Sequence, residues 1–307
     1  MTTTTAPRWS PDAIGDLGDR TALITGGNSG IGLETARVLA RHGARVIIAG
    51  RDDTKLAAAA TELHRSTTDA DIATAVVDLG SLQSIRDATN ALANREVIDL
   101  LVNNAGVMNV PERRTTSNGL ELTVGTNHLG HFALTAGLWP ALRRSPEARI
   151  VTVSAIAARW RSGRLDDLLS ERRYRPMSAY AKSKRANIVF TAELARRLEG
   201  SAHRAVVVHP GSAMTDLQRH STGLMSRIVI ALTRNVVMGS PEGAAWPSLY
   251  AATSPDVTNG GFYGPAGRDQ TSGTPELAAM PTGADGPAEG AHLWAESERL
   301  TGVAFDL

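Results

Sequence analysis

Residues 21–49 read TALITGGNSGIGLETARVLARHGARVIIA, which is an apolar run, a glycine-rich turn, a longer segment and a second apolar run. The two runs, TALIT (21–25) and RVIIA (45–49), have the β-branched content of strands. Between them, apolar residues recur at helical spacing until Gly43 ends the segment. The stretch therefore predicts a strand, a crossover helix and a second, parallel strand.

The rest of the chain repeats this alternation of short apolar runs and longer helix-like segments. It predicts a single-domain α/β fold with a doubly wound, mainly parallel sheet flanked by helices. We expect residues 1–18 to form a polar lead-in, 19–265 the domain, and 266–307 a C-terminal extension that wraps the same domain. Four further strands are predicted at ATAVVDL (73–79), IDLLVNNAG (98–106), ARIVTVSA (148–155) and HRAVVVHPG (203–211).

The composition is that of a globular protein with little net charge. The 307 residues are 42% hydrophobic and 21% charged, with a formal net charge of +1 and no cysteine. The lack of cysteine excludes disulfides, thiolate nucleophiles and sulfur-bound zinc, and we predict no metal site. A nearly neutral chain has no overall field that attracts nucleic acid. The start of the chain lacks a secretory apolar stretch, and no apolar run reaches roughly 18 residues, so we expect a cytoplasmic protein without nucleic-acid or membrane partners.

The glycine-rich turn GGNSGIG (26–32) lies between the first strand and the first helix. In this setting glycines allow backbone amides to approach a pyrophosphate at a helix N-terminus, and a turn without a ligand is the alternative. The spacing TGxxxGIG, together with NNAG (103–106) after the fourth strand, resembles the short-chain dehydrogenase/reductase family. The resemblance covers roughly residues 18–265. It implies a Rossmann fold and hydride transfer between a nicotinamide cofactor and a carbonyl or alcohol.

Two strand ends bear on the choice of cofactor. Where a family member that prefers NAD places an acid, this chain has Gly50 followed by Arg51. A guanidinium makes charge-assisted bonds to a 2′-phosphate, so NADP(H) is favoured, while a solvated surface arginine would leave NAD(H) open. After the third strand, Asp78 and Leu79 resemble the family's adenine contact, with an acidic strand-end cap as the alternative.

Tyr180 and Lys184 are four residues apart, which places both on one face of a helix. A phenol titrates at about 10 in water, and a nearby ammonium with oxidised nicotinamide would favour the phenolate. In the resemblance, Tyr180 is the general acid for carbonyl reduction or the base for alcohol oxidation. Lys184 binds the nicotinamide ribose, and Asn127 holds a water in the proton relay. We expect His128 and His131, in the same run NHLGH, to serve packing or capping rather than metal binding.

The fourth member of the catalytic set is a serine at the end of the fifth strand. In the resemblance it is the second of two small residues, and here Ser154 comes first and Ala155 second. Successive side chains of a strand face opposite sides, so Ser154 does not automatically replace the missing hydroxyl. Three explanations stay open: Ser154 turns into the site, another donor serves, or the protein is an NADP(H)-binding sensor or scaffold with little catalysis. We predict an enzyme, because Tyr180, Lys184 and Asn127 are all present.

The sixth strand is followed by PGSAMT (210–215), which resembles the family's nicotinamide clamp, with a plain Pro-Gly turn as the alternative. The expected cofactor contacts combine the motifs above with Val153 in the fifth strand. They are Gly26, Asn28, Ser29, Gly30, Ile31, Gly32, Arg51, Asp78, Leu79, Asn104, Ala105, Gly106, Val153, Tyr180, Lys184, Pro210, Gly211, Ala213 and Thr215.

The segment between Ser154 and Tyr180 spans 26 positions and is longer than in compact members of the family. With NHLGHF and YAKSKRANIVF, it resembles the retinol-dehydrogenase and protochlorophyllide-reductase-like branch. Its mixed charges predict a solvated surface rather than an anionic-substrate site. The apolar stretch 224–232 is interpreted as a pocket cover, a core helix or a partner contact. We expect a medium-sized, largely apolar carbonyl or alcohol, and the resemblance implies a homodimer or homotetramer paired through the helices of Asn127 and Tyr180.

Overall fold

The computed structural model describes residues 9–160, 164–211, 241–267 and 270–307. Its eight strands are β1 (Thr21–Thr25), β2 (Arg45–Gly50), β3 (Ile72–Val76), β4 (Leu100–Asn103), β5 (Arg149–Val153), β6 (Arg204–Val208), β7 (Phe262–Pro265) and β8 (Pro275–Leu277). They form one sheet in the order β3-β2-β1-β4-β5-β6-β7-β8, in which only β7 and β8 pair antiparallel. The chain crosses over between β1 and β4, which opens a crevice at the carboxyl ends of these strands.

Helices cover both faces of this sheet. They are α1 (Gly30–Arg41), α2 (Asp53–Ser66), α3 (Leu82–Ala93), α4 (Leu122–Val124), α5 (Gly130–Leu142), α6 (Pro176–Arg197), α7 (Pro241–Thr253) and α8 (Pro287–Thr301), with a π-helical turn (Gly125–Leu129) joining α4 to α5. One face carries α1, α2 and α7, and the other carries α3, α5, α6 and α8. In the part of the chain that the structure describes, no helix has both the length and the apolar character needed to cross a membrane.

The central strands are buried from end to end because helices pack on both of their faces. Every residue of β4 and of β5 is buried, as expected for parallel strands between two helical layers. The predicted α/β class with a doubly wound, mainly parallel sheet is confirmed, and all six predicted strands are present. Most strands are shorter than the apolar runs, since the chain leaves the sheet before the last residues of these runs.

Two strands lie outside the sequence prediction. β7 contains a glycine and a proline, and β8 begins with a proline within the predicted C-terminal extension 266–307. Their pairing places Tyr263 opposite Leu277 and Gly264 opposite Glu276. Their local β-propensity is low, so these strands form through pairing: β7 pairs with β6, and β8 pairs with β7.

The C-terminal helix α8 packs across α5 and α6. It begins at Pro287, because a proline is tolerated in the first turn, where no backbone N–H is needed. The Trp294 ring lies against Phe132, Phe190 and Phe305, with centroid separations of 5.3, 5.9 and 5.0 Å. The division of the chain into lead-in, domain and extension stays a prediction.

Candidate active site

The glycine loop joins β1 to α1 with conformations that glycine adopts freely. Gly26 and Gly30 have φ of +67° and +54°, in the left-handed region. A Cβ at Gly32 would overlap the carbonyl oxygen of Gly26 and lie 2.6 Å from Asn104 Nδ2. The Ser29 side chain makes no hydrogen bond to the first turn of α1, so this residue leaves those N–H groups available to a ligand. The loop therefore fits a pyrophosphate bound at a helix N-terminus.

The end of β2 lies beside this loop. A Cβ at Gly50 would lie 3.0 Å from Asn28 Oδ1, so a larger residue there would displace the Asn28 side chain. Arg51 follows, is exposed, and makes no ion pair with any residue of the described ranges. Its guanidinium is free to meet an anionic ligand, and its contact with a 2′-phosphate stays a prediction.

Asp78 and Leu79 make internal contacts after β3. Asp78 Oδ1 accepts a hydrogen bond from Gly80 N at 2.9 Å, which is the turn-capping contact of the alternative interpretation. Leu79 is 7% exposed and belongs to the hydrophobic core. The adenine contact of both residues stays a prediction, and the structure shows the turn contact.

The turn after β4 packs under the glycine loop. Thr25 Oγ1 accepts hydrogen bonds from Asn104 N at 2.9 Å and Ala105 N at 3.0 Å. Asn104 Nδ2 donates to Thr25 O at 2.8 Å. A Cβ at Gly106 would lie 3.0 Å from Asn127 Oδ1, so the backbone there passes close to the catalytic side. The turn therefore connects the loop that fits a phosphate to the helices with the predicted catalytic residues.

Tyr180 and Lys184 lie one turn apart on α6, as predicted, and both are buried. Lys184 Nζ donates to Val153 O at 2.9 Å and lies 5.9 Å from the centre of the Tyr180 ring. Burial raises the pKa of Tyr180 to about 12 and lowers the pKa of Lys184 to about 8. The protein surroundings therefore favour the neutral phenol. This direction is opposite to the lowering of the phenol pKa expected from Lys184 and oxidised nicotinamide.

Asn127 lies in the π-helical turn, a distortion that is frequent at functional sites. Its Oδ1 accepts from Val107 N at 2.7 Å, and its Nδ2 donates to Val107 O and to Ser183 Oγ, both at 2.9 Å. Ser183 Oγ in turn donates to Tyr180 O at 2.8 Å. Asn127 thus contacts Val107 and, through Ser183, the helix of Tyr180, while its role of holding a water in a proton relay stays a prediction. Neither Val107 nor Ser183 was predicted, since a serine within a helix carries no signal of its partner.

Ser154 and Ala155 occupy different surroundings at the end of β5. Ser154 is buried, and its hydroxyl donates to Lys184 O at 2.7 Å. Ala155 packs in a small apolar cluster with Tyr180. Because side chains alternate along the extended chain, the residue beside Tyr180 is the alanine. The contacts of Ser154 therefore give no support to its predicted catalytic role.

The turn after β6 begins with Pro210 and Gly211. Gly211 has φ of +74°, and a Cβ there would overlap a backbone oxygen of the C-terminal segment. The predicted clamp residues Ala213 and Thr215, and the apolar stretch 224–232, lie outside the described residues.

A buried lysine anchors the insertion that precedes α6. Lys182 Nζ donates to Ser170 Oγ at 3.0 Å and to the backbone carbonyl of Asp167. Burial lowers the pKa of Lys182, and the Asp167 carboxylate acts in the opposite direction. Several arginines of the insertion are exposed as predicted, but its turn at residues 167–170 is hydrogen-bonded to the helix of Tyr180 through Lys182. The charge pattern did not indicate the contact, because Lys182 looks like any other cation of the segment.

Comparisons with known proteins agree with this arrangement. A family model described as short chain dehydrogenase matches residues 20–223. The chain is 39% identical to human retinol dehydrogenase 13, over 92% of this chain and 85% of that protein, and 40% identical to human polyprenol dehydrogenase, over 80% and 76%. An uncharacterized protein from Mycobacterium paratuberculosis has a similar structure, with a TM-score of 0.79 and 38% identity over 98% of this chain and 100% of that one. A Pseudomonas aeruginosa RhlG/NADP active-site complex has a TM-score of 0.65 and 28% identity, over 80% and 94%. The chain is therefore an oxidoreductase of the short-chain dehydrogenase family, in its retinol-dehydrogenase-like branch.

Proposed function

We propose that this oxidoreductase uses NADP(H) and transfers hydride between the nicotinamide and a medium-sized, largely apolar carbonyl or alcohol, with Tyr180 as general acid or base. The surroundings of the Tyr180 hydroxyl carry the proposal. This hydroxyl makes no hydrogen bond within the described ranges. The tyrosine packs with Ala155 and with the partly buried Met108 and Met177. A substrate oxygen that approaches Tyr180 therefore meets one free polar group in an apolar wall.

The names of two relatives support an apolar substrate. Retinol dehydrogenase 13 and polyprenol dehydrogenase are named for alcohols with long hydrocarbon chains. Methionine side chains such as those of Met108 and Met177 adapt to varied apolar shapes. Burial of hydrocarbon contributes about 25 cal/mol per Å² to binding. The site therefore favours an oxygen attached to a hydrocarbon body over a sugar or a charged acid.

The proton step uses residues of α6. The nicotinamide supplies or accepts the hydride when it is bound. Tyr180 donates its phenolic proton to the oxygen of a carbonyl that is reduced, and takes the proton back from an alcohol that is oxidised. Lys184 uses one N–H on Val153 O, which leaves two for the ribose of the cofactor. Burial favours the neutral Tyr180 phenol, which is the form that donates a proton when a carbonyl is reduced.

Turnover assays test the reaction. The native protein is assayed with NADPH and NADH on apolar aldehydes, ketones and quinones, retinal among them. Tyr180→Phe should lower kcat about 10²- to 10⁴-fold and leave the Kd of NADPH unchanged. Tyr250→Phe is the matched control, because the Tyr250 hydroxyl also makes no hydrogen bond in the described ranges, while this residue is partly buried and packs on the face of the sheet that carries α1, α2 and α7. Native turnover in Tyr180→Phe would refute the acid/base role.

The choice of cofactor is tested by direct binding. Arg51→Ala should raise the Kd of NADPH about tenfold and leave that of NADH unchanged, because only NADPH offers a 2′-phosphate to the guanidinium. Arg95→Ala is the control, since Arg95 is also exposed and lies before β4, at the opposite end of the sheet. Equal affinities of the native protein for both nucleotides would refute the preference.

A further variant separates enzyme from sensor. Ala155→Ser adds a hydroxyl beside Tyr180, and one well-placed donor to the substrate oxygen contributes on the order of a hundredfold in turnover. We expect measurable turnover in the native protein and faster turnover in the variant. Cofactor binding with turnover only in Ala155→Ser would replace the enzyme by an NADP(H)-binding sensor or scaffold.

A cytoplasmic location and a homodimer or homotetramer complete the proposal. The α8 helix packs on α6 through Trp294 and through the ion pair of Arg185 with Glu289, at 2.9 Å. Pairing through α5 and α6 would therefore involve α8 as well. Light scattering measures the mass, and the mass of a single chain would refute the oligomer.

A further inference from the structure

His131 connects two parts of the site through a ring that is buried. It lies on α5, and 1% of it is exposed. Its Nδ1 lies 2.9 Å from Asn127 O, and its Nε2 lies 2.8 Å from Thr25 Oγ1. The first partner belongs to the π-helical turn beside the catalytic helix, and the second ends β1 before the glycine loop. One side chain thus bonds the elements on both sides of the crevice.

The chemistry of these partners determines which nitrogen carries the hydrogen. The backbone carbonyl oxygen of Asn127 can only accept a hydrogen bond, so His131 Nδ1 must donate to it. Burial lowers the pKa of His131 to about 4, so the ring is neutral near pH 7 and Nε2 has a lone pair. The Thr25 hydroxyl therefore donates to Nε2 rather than to Val102 O, which is more distant at 3.3 Å.

With its hydrogen directed at His131, the Thr25 hydroxyl has two lone pairs left as acceptors. The backbone N–H groups of Asn104 and Ala105 donate to this oxygen at 2.9 and 3.0 Å. Every hydrogen-bonding capacity of the hydroxyl is then used. Both amides belong to the turn after β4, which packs directly against Gly26 of the glycine loop.

We infer that His131 is a positioning residue for the cofactor crevice, an inference that rests on the proposed use of a nicotinamide dinucleotide. By orienting the Thr25 hydroxyl, His131 holds the turn at 104–105 against the glycine loop. By bonding Asn127 O, it holds that turn in register with the π-helical turn. Without the ring, the hydroxyl hydrogen is free to turn elsewhere and the two amides lose an acceptor of fixed direction. The crevice then binds the dinucleotide less tightly, although the glycine loop itself is unchanged.

His128 offers a matched comparison on the same helical run. It is equally buried, and its Nε2 lies 2.9 Å from Ser297 Oγ on α8. This bond joins the π-helical turn to the C-terminal helix, away from the glycine loop. Ser297→Ala therefore removes a hydroxyl from the Nε2 of a buried histidine, as a substitution of Thr25 does, without touching the crevice. The direction of the bond differs, because the Ser297 hydroxyl donates to Leu293 O at 2.7 Å and accepts from His128 Nε2.

The first experiment measures the Kd of NADPH by titration calorimetry, without turnover. Thr25→Val and His131→Phe should each raise this Kd about tenfold or more, the equivalent of about 1.4 kcal/mol. Thr25→Ser keeps the hydroxyl, and it and Ser297→Ala should stay within about twofold of the native Kd. The Kd of NADPH for the double variant of Thr25→Val with His131→Phe should be no higher than that of the more weakly binding single variant, because each change alone already breaks the same Thr25–His131 hydrogen bond. His131→Asn, whose side chain is too short to place an acceptor where Nε2 meets the Thr25 hydroxyl, is the variant to use if His131→Phe does not fold.

Hydrogen–deuterium exchange supplies a second readout that needs no cofactor. The amide hydrogens of Asn104 and Ala105 should exchange at least about tenfold faster in the His131 variants, and at the native rate in Ser297→Ala. Native Kd together with native exchange in His131→Phe would overturn the inference. An equal rise of the Kd in Ser297→Ala would also overturn it, because the effect would then follow general stability. A native protein that binds neither NADPH nor NADH refutes the proposed function instead, and the exchange rates still decide the role of His131.

Discussion

Acidification from pH 7 to pH 5 should destabilise this protein strongly, because three histidines are buried in their neutral form. Burial lowers the pKa of His128 to about 3 and those of His131 and His209 to about 4. An unfolded histidine titrates at about 6.5. Below this pH the unfolded chain binds more protons than the folded protein does. The stability that the neutral rings contribute above pH 6.5 is therefore lost as the pH falls.

The size of the effect follows from these pKa values. At pH 5 each histidine is protonated in the unfolded chain and still neutral in the folded protein, which costs about 2 kcal/mol per residue. Three such residues cost about 6 kcal/mol. The whole free energy of unfolding of a typical domain is about 5–15 kcal/mol, so this loss brings the protein close to unfolding. Near pH 5 the free energy of unfolding changes by about 4 kcal/mol per pH unit, since three protons are taken up on unfolding.

Urea unfolding at several pH values between 7 and 5 measures this loss. His209→Asn removes one of the three groups and should reduce the loss between pH 7 and pH 5 by about one third. His292→Asn changes an exposed histidine of α8 and should leave the loss unchanged. If the native protein loses less than about 2 kcal/mol over this range, the three histidines are not held neutral by burial and the reasoning is refuted.

Two substitutions test the glycine loop and the C-terminal helix. Gly32→Ala should abolish measurable binding of NADPH in calorimetry, because the added Cβ would overlap the carbonyl oxygen of Gly26. Gly15→Ala should bind NADPH normally, since a Cβ at Gly15 would have no neighbouring atom within 4 Å. Retained binding in Gly32→Ala would contradict the tight packing of the glycine loop. Trp294→Ala should lower the free energy of unfolding in urea by about 3–5 kcal/mol, because the ring is buried among aromatic side chains. Trp160→Ala, at a side chain that is 47% exposed, should change it by less than about 0.5 kcal/mol, and equal effects would contradict the packing of α8.

The parts of the fold that the sequence predicts are those whose signal is local. β1, the glycine loop and α1 are contiguous, so their periodicity and turn residues lie within one short stretch. β7 and β8 have no such signal, because glycine and proline lower their strand propensity and only pairing across the sheet defines them. The π-helical turn at Asn127 has no such signal either, since its five residues are too few to show a period that differs from that of the α-helix that follows.

The site divides in the same way. Tyr180 and Lys184 were found because one helical turn separates them. The alternation of side chains along a strand indicated that Ser154 need not face the site, and in the structure its hydroxyl donates to Lys184 O. The sequence does not predict the role inferred for His131, because its partner Thr25 is distant in sequence and its tautomer depends on a backbone carbonyl. Contacts of this kind appear only when the fold has brought two strands and a helix together.

The protonation state of Tyr180 shows why a motif locates a catalytic group without fixing its chemistry. The spacing to Lys184 indicates a nearby cation, which lowers the pKa of a phenol. The packing of Ala155, Met108 and Met177 around the ring removes water, which raises it. These residues come from three separate segments, so their joint effect follows only from the fold. In this protein burial is the larger influence and raises the pKa of Tyr180 to about 12, so the site holds a neutral phenol, the form that has a proton to give to a carbonyl oxygen.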